Sequence, residues 1–256
     1  MILTNADLDR YARHIVLKEV GGAGQMALRR ATVAVIGAGG IGSPALQYLA
    51  AAGIGRLIVI DDDHVDLSNL QRQTIFATDD IGQPKVAAAA LAIAGLNPTV
   101  DVVMHRARID AGNAPKLLAG ADVVLDGCDN FATRLAVADA ALAARVPLIS
   151  AAVGQFEGQL ATFRGWEADK PCYRCFVGGD PDRAEASCAE QGVLGAMTGV
   201  LGSLAALEVM RQIVGFGDDS AGKLLLVDAL AFRFRTLTLP KDPGCRCAVP
   251  HAYPAG

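Results

Sequence analysis

Ala31-Thr32-Val33-Ala34-Val35-Ile36-Gly37-Ala38-Gly39-Gly40-Ile41-Gly42-Ser43 is the stretch on which the fold turns. Residues 31–36 are apolar and largely β-branched, the pattern of a buried strand. They pass directly into a G-x-G-G-x-G turn, and residues 43–52 follow as an Ala/Leu-rich helix stopped by Gly53. Glycines at 37, 39, 40 and 42 permit a tight turn and close backbone approach, while free N–H groups at the helix start favour a phosphate. Strand, glycine turn and helix in this order form a nucleotide-binding unit. Alone it does not separate a redox dinucleotide from ATP.

Working outward, residues 56–60 read as a second strand ending on Asp61. A helix over 84–95, strands over 100–104 and 121–125, a helix over 131–144 and a strand over 146–150 follow. This alternation predicts an α/β, doubly wound, Rossmann-like and mainly parallel sheet with helices on both faces. Upstream, residues 4–13 and 23–30 read as short helices, the first opened by Thr4 and Asp7. Beyond Ala151 the pattern changes. Residues 159–163, 223–228 and 232–239 read as strands of an antiparallel C-terminal extension, and 192–214 as a long apolar, buried helix. The polar linker 164–191 carries three cysteines and reads as a mobile segment. We expect one domain over 1–256: N-terminal helices (1–30), a nucleotide-binding core (31–150) and an extension (151–256).

The composition narrows the function classes. With 52% hydrophobic but only 5% aromatic residues, the core is expected to be mostly Ala, Val, Leu and Ile, suited to helices packed closely on a parallel sheet. A net charge of -4 gives no general attraction to nucleic acid or anionic membranes. No run approaches the ~18–20 consecutive apolar residues of a membrane span. The first ten residues carry Asp7 and Asp9 and no apolar signal core, so a cytoplasmic protein is expected.

The loop after Asp61 is more specific than the glycine turn. Asp61-Asp62-Asp63-His64-Val65-Asp66-Leu67-Ser68-Asn69-Leu70-Gln71-Arg72-Gln73 sets Asn69 and Arg72 near the nucleotide, and Lys85 follows just inside the next helix. A dinucleotide pyrophosphate needs few extra cations, whereas a triphosphate with Mg²⁺ needs cations and an acid for the metal. Arg72 and Lys85 supply the first; Asp126 and Asp129, just past the fourth strand, supply the second. The plainer reading makes Arg72 and Lys85 solvated surface charges.

At this point the sequence resembles a known family. The runs 10–15 (Arg-Tyr-Ala-Arg-His-Ile), 37–42, 61–73, 82–85 (Gly-Gln-Pro-Lys) and 126–130 (Asp-Gly-Cys-Asp-Asn) are similar to those of the ubiquitin-activating superfamily. Within it they most resemble the MoeB/ThiF/HesA adenylyltransferases, over about residues 5–247, with wording nearest the MoeB branch. The resemblance implies ATP-dependent adenylation of the C-terminal glycine of a ubiquitin-like sulfur-carrier protein ending in Gly-Gly, for molybdopterin or thiamin synthesis. It implies that Gly40 and the glycine loop approach ATP and that Asp61 takes the ribose. Ser68, Asn69 and Arg72 would line the phosphates with Lys85 beside them, and Asp63, Leu70 and Gln71 complete the nucleotide set. Asp129 would hold Mg²⁺, with Asn130 adjacent. Arg13 would act across a homodimer interface on the partner's ATP; without the resemblance it reads as an ordinary helix charge. Cys188 matches a cysteine that joins covalently to the carrier in some relatives, and is a candidate only, since adenylation needs no thiolate.

Cys172 and Cys175 have the spacing of a metal knuckle, and Cys245 and Cys247 offer a second pair, together a structural Zn²⁺ site that staples a loop to the C-terminal segment. The family usually has two residues between the second pair; here there is only Arg246. That leaves a strained four-cysteine site, replacement of one ligand by His251, or no metal, and zinc on all four cysteines is the expectation adopted. Cys128 reads as a small buried hydrophobe. The rival functions are an NAD-dependent oxidoreductase, a tRNA-modifying ATP-dependent dehydratase of the same superfamily, and a non-catalytic zinc-stapled binding module. The first leaves Arg72, Lys85 and Asp129 unexplained, and the acidic balance offers the second no broad basic face.

Overall fold

Five parallel strands hold the nucleotide-binding half together. The computed structural model describes residues 3–178 and 192–248. In it β1 (Thr32–Ile36), β2 (Arg56–Ile60), β3 (Asp101–His105), β4 (Val123–Asp126) and β5 (Leu148–Gly154) pair in parallel. β6 (Glu157–Phe163), β7 (Lys223–Asp228) and β8 (Arg233–Thr238) continue the same sheet antiparallel. The order is β3-β2-β1-β4-β5-β6-β7-β8. From β1 the chain builds outward first to β2 and β3, then on the other side to β4, so the carboxyl ends of β1 and β4 flank a switch point where a ligand crevice forms.

Helices cover both faces, which is why the parallel strands are apolar at nearly every position. Val33, Val35, Leu57, Val59 and Leu125 face one core, shared with α4 (Gly42–Ala52), α5 (Lys85–Leu96) and α9 (Gly195–Val214). Ala34, Ile36, Ile58, Ile60 and Val124 face the other, against α7 (Phe131–Ala144). The period of two along each strand thus feeds two cores from one sequence.

α9 is 20 residues long and, by length and composition alone, apolar enough to cross a membrane. Here it packs on α4, β5 and β6, with Leu201, Ala205, Ala206 and Val209 inaccessible to solvent. Glu208, also buried on this helix, accepts hydrogen bonds from Thr162 at 3.0 Å and Gln212 at 2.9 Å.

The first expected helix is two helices, α1 (Asn5–Arg10) and α2 (Ala12–Ile15). Thr4 and Asp7 cap α1 reciprocally, as their spacing predicts. The break falls at Tyr11, whose buried ring points inward and whose hydroxyl accepts from Asn97 Nδ2 at 2.9 Å. α3 (Gly21–Arg30) then leads into β1. Two short helices were not expected: α6 (Ala114–Leu117) and, inside the polar linker, α8 (Tyr173–Val177). Residues 179–191 of that linker lie outside the described residues.

Candidate functional site

The glycine turn is fixed by what its atoms touch. Gly37 has φ 84°, and its N–H donates to Ile60 C=O at 2.9 Å, tying the end of β1 to the end of β2. A Cβ on Gly42 would lie 1.9 Å from the Gly37 carbonyl oxygen, so no side chain fits there. Next to the turn, Asp61 takes one N–H on each carboxylate oxygen: Ala38 at 2.8 Å and Asp63 at 2.9 Å. Each oxygen keeps a further lone pair with which to accept from a ribose hydroxyl. Burial raises the Asp61 carboxyl above its usual 3.8, while Lys85 and the two N–H donors pull it back.

A cleft of about 530 Å³ opens at the carboxyl ends of β1 and β4. Gly37, Gly39, Gly40, Asp61, Asp63 and Lys85 line one side of it, and Asp129 and Asn130 line the other. Lys85, at the start of α5, is buried and donates to exposed Asp63 at 2.9 Å. Asp129 is exposed and has no hydrogen-bond partner among the described residues, leaving both oxygens open to a cation. Asn130 lines the cleft but caps α7, accepting from Thr133 N–H at 2.8 Å.

Asp126 is differently placed. It is buried, and accepts from Arg134 at 3.2 Å, Ser150 at 3.2 Å and the Cys128 N–H at 3.1 Å. With those lone pairs occupied it serves the fold of the loop and does not reach out to a metal. Arg134 also donates to Ala151 C=O at 3.1 Å and to Cys128 C=O, so one guanidinium pins the loop that carries Asp129. Sequence reading missed Arg134 and Gln73, both buried and both lining the cleft. The signal for Arg134 was its position: with Phe131, Leu135 and Ala138 it falls on the apolar stripe of α7.

The remaining predicted nucleotide residues do not line this cleft. Ser68, Asn69, Leu70, Gln71 and Arg72 sit on the loop after β2, whose 3₁₀ turn (Leu67–Asn69) is capped by Asp66. Arg72 is folded back, donating to Ser68 C=O at 3.0 Å, and its own carbonyl accepts from Thr198 Oγ1 at 3.3 Å. Arg13 is exposed on α2, away from the cleft lining. Cys188 and His251 lie outside the described residues. Cys128 borders the cleft as a half-buried thiol, pushed well above its usual range by desolvation and by the Asp126 charge. It is a poor nucleophile.

The four other described cysteines meet. Cys172 Sγ lies 3.8 Å from Cys175 Sγ and 3.6 Å from Cys245 Sγ, and Cys175 Sγ lies 3.4 Å from Cys247 Sγ. All four sulfurs fall within 4.8 Å of one another. Sulfurs about 2.3 Å from a tetrahedral zinc stand about 3.8 Å apart, so this spacing fits that ion, and the single residue between Cys245 and Cys247 does not prevent it. Burial pushes the Cys172 thiol up, and that of Cys247 up to about 11, while backbone and cysteine hydrogen bonds hold the Cys175 thiol below its usual value.

A sequence profile described as the ThiF family matches residues 11–247. The chain belongs to the ThiF family. It is 46% identical over 246 residues to a sulfur carrier protein adenylyltransferase of Thermus thermophilus, covering 94% of this ThiF-family chain and 91% of the relative. It is 44% identical over 244 residues to the SAMP-activating enzyme E1 of Haloferax volcanii, covering 95% and 89%. In three dimensions it resembles E. coli MccB, solved with MccA-N7isoAsn, with a TM-score of 0.83 over 94% of this chain and 75% of that one. At 23% identity that likeness speaks for the fold alone.

Proposed function

We propose that this ThiF-family chain is an adenylyltransferase that uses MgATP to adenylate the C-terminal glycine carboxylate of a ubiquitin-like sulfur-carrier protein. The observation that carries the reading is the convergence, in one cleft, of the glycine turn, the N–H-clamped Asp61, buried Lys85 and open Asp129. A sulfur carrier protein adenylyltransferase at 46% identity supports the same chemistry.

The difficulty of the reaction is charge. A carboxylate oxygen attacks the α-phosphorus of ATP, the bond to the bridging oxygen breaks, and pyrophosphate leaves with its electron pair. The protein must bring two anions together and hold them in line. The glycine turn lets the backbone approach the phosphates, Asp61 fixes the ribose, and Lys85 offsets the growing charge on pyrophosphate, where Arg72 would join it on leaving the Ser68 carbonyl. Asp129 would hold Mg²⁺, which supplies further neutralisation. Arg13 would reach the partner's nucleotide in a homodimer. The four cysteines would hold Zn²⁺ as a structural staple.

The carrier's docking face follows from the antiparallel extension. Phe156, Leu230, Phe232 and Phe234 are exposed around the β5–β6 and β7–β8 turns, which meet where Ala229 N–H donates to Phe156 C=O at 2.9 Å. β5 runs up to the first of these turns, and Ala152 and Val153 near its carboxyl end form part of the cleft wall. Small residues along Ala151-Ala152-Val153-Gly154 suit a diglycine tail that must pass in extended form. We assign the protein to the cytoplasm and the carrier to molybdopterin or thiamin synthesis.

The test is pyrophosphate release from MgATP by the purified protein, with and without a ubiquitin-like carrier ending in Gly-Gly. Carrier-dependent release that is lost in Arg72→Ala and Asp129→Ala is the expected result. No release with any such carrier, despite ATP binding, would overturn the assignment.

A further inference from the structure

Each cysteine pair encloses one arginine, and both arginines end on the same carboxylate of a third element. Arg174 lies between Cys172 and Cys175, Arg246 between Cys245 and Cys247. Asp139 of α7 accepts from Arg174 Nε at 2.8 Å on one oxygen and from Arg174 Nη2 at 2.8 Å on the other. Arg246 pairs with the same Asp139 carboxylate. We propose that Asp139 is the latch that holds the two cysteine pairs together against α7, and that through Arg174 and Arg246 it sets how long the four-sulfur site retains its metal. The proposal rests on the zinc reading given above.

The first pair supports itself: Cys175 N–H donates to Cys172 C=O at 3.1 Å, closing a turn. Cys245 and Cys247, with a single residue between them, have no room for such an i to i+3 bond within the pair. Their local support is a Cys245 N–H bond to Asp242 C=O at 3.0 Å and one 3₁₀ turn (Arg246–Ala248), and Arg246 adds the hold to a separate element. Charge points the same way. Four thiolates around a divalent cation carry two net negative charges, and two neighbouring guanidiniums offset them. Two guanidiniums side by side repel one another unless a carboxylate bridges them, and Asp139 is that bridge. Removing it frees both arginines to swing toward solvent and leaves the short pair held only by its own turn. Partners beyond the ligand shell act on metal affinity by about 10- to 100-fold.

The experiment measures zinc transfer from the full-length, zinc-loaded protein to a chromogenic chelator. Asp139→Asn is expected to release zinc at least ~10-fold faster than the parent, with Asp139→Glu in between. In an Arg174→Ala/Arg246→Ala background the same change should add less than about twofold, because the latch has already lost its partners. Parent-like release by Asp139→Asn overturns the proposal, as does an undiminished effect in the arginine-free background. Should Asp139→Asn fail to fold, Arg246→Gln at a half-exposed position gives the second reading. Faster release there supports the latch, and an unchanged rate overturns it. A parent protein that takes up no zinc defeats the zinc reading itself, an outcome distinct from a failed latch.

Discussion

Lys85 Nζ lies 2.9 Å from Asp63 Oδ2, the lysine side chain 6% exposed and the aspartate 69%. The buried cation of the cleft is therefore held in position before any nucleotide arrives, by an acid that solvent reaches and a triphosphate can displace. Lys85→Met should lower carrier-dependent pyrophosphate release by about 100-fold or more, the scale for deleting a preorganised group that stabilises developing charge. Asp63→Asn removes only the holder and should cost less than about tenfold, mainly as a higher KM for ATP. Equal losses in the two variants would assign the lysine a structural role.

The buried Asp126–Arg134 pair gives a prediction about stability. Its side chains are 1% and 7% exposed and 3.2 Å apart. Asp126→Ala leaves the guanidinium buried without this carboxylate, at a cost of about 3–5 kcal/mol. Ser150→Ala deletes one neutral hydrogen bond to the same group and should cost about 1 kcal/mol. Urea unfolding of the three proteins distinguishes the cases, and a small loss in Asp126→Ala would mean that Arg134 finds equivalent partners.

Acid sensitivity should arise partly at the N-terminus. The Asp7 carboxyl is held below its usual 3.8, first by the Thr4 N–H and then by the Thr4 hydroxyl. A carboxyl with a depressed folded value stabilises the fold above its unfolded pKa, and that contribution fades as pH falls through the folded value. Lowering pH from 5 to 3 should therefore weaken the protein, and Asp7→Asn, weaker at pH 5, should lose less over that interval. Urea midpoints at the two pH values provide the measurement.

Legibility in the sequence followed the range of the interactions. Strands of the parallel half and α4, α5 and α7 were readable because apolar period and glycine punctuation are local. The break at Tyr11 was not, since no Gly or Pro marks it and its cause is a contact with Asn97, 86 residues away. α6 and α8, of four and five residues, are too short for a period to show and depend on packing against their neighbours. The residues that share the cleft, Gly37, Gly39, Gly40, Asp61, Lys85 and Asp129, and the four cysteines that meet, 172, 175, 245 and 247, could be picked out by type and spacing. Asp126 read as a metal ligand because its position at the strand end was visible and its partner Arg134, turned inward from α7, was not. Asp139 carried no signal, its guanidinium partner Arg174 lying 35 residues further on.

Arg13 offers the sharpest test of how the site is completed. It is exposed on α2 and absent from the cleft lining, whereas Asp129 lines the cleft. If Arg13 serves the partner's nucleotide, Arg13→Ala and Asp129→Ala are each inactive alone but complementary when mixed. Random reassociation makes about half of the dimers mixed, and in each of these one of the two sites has both residues intact, so activity should recover to about a quarter of the parent's. Recovery of pyrophosphate release on mixing, after dilution and exchange of subunits, is the expected result. Exchange without recovery would mean that Arg13 acts within its own chain or not on the nucleotide at all.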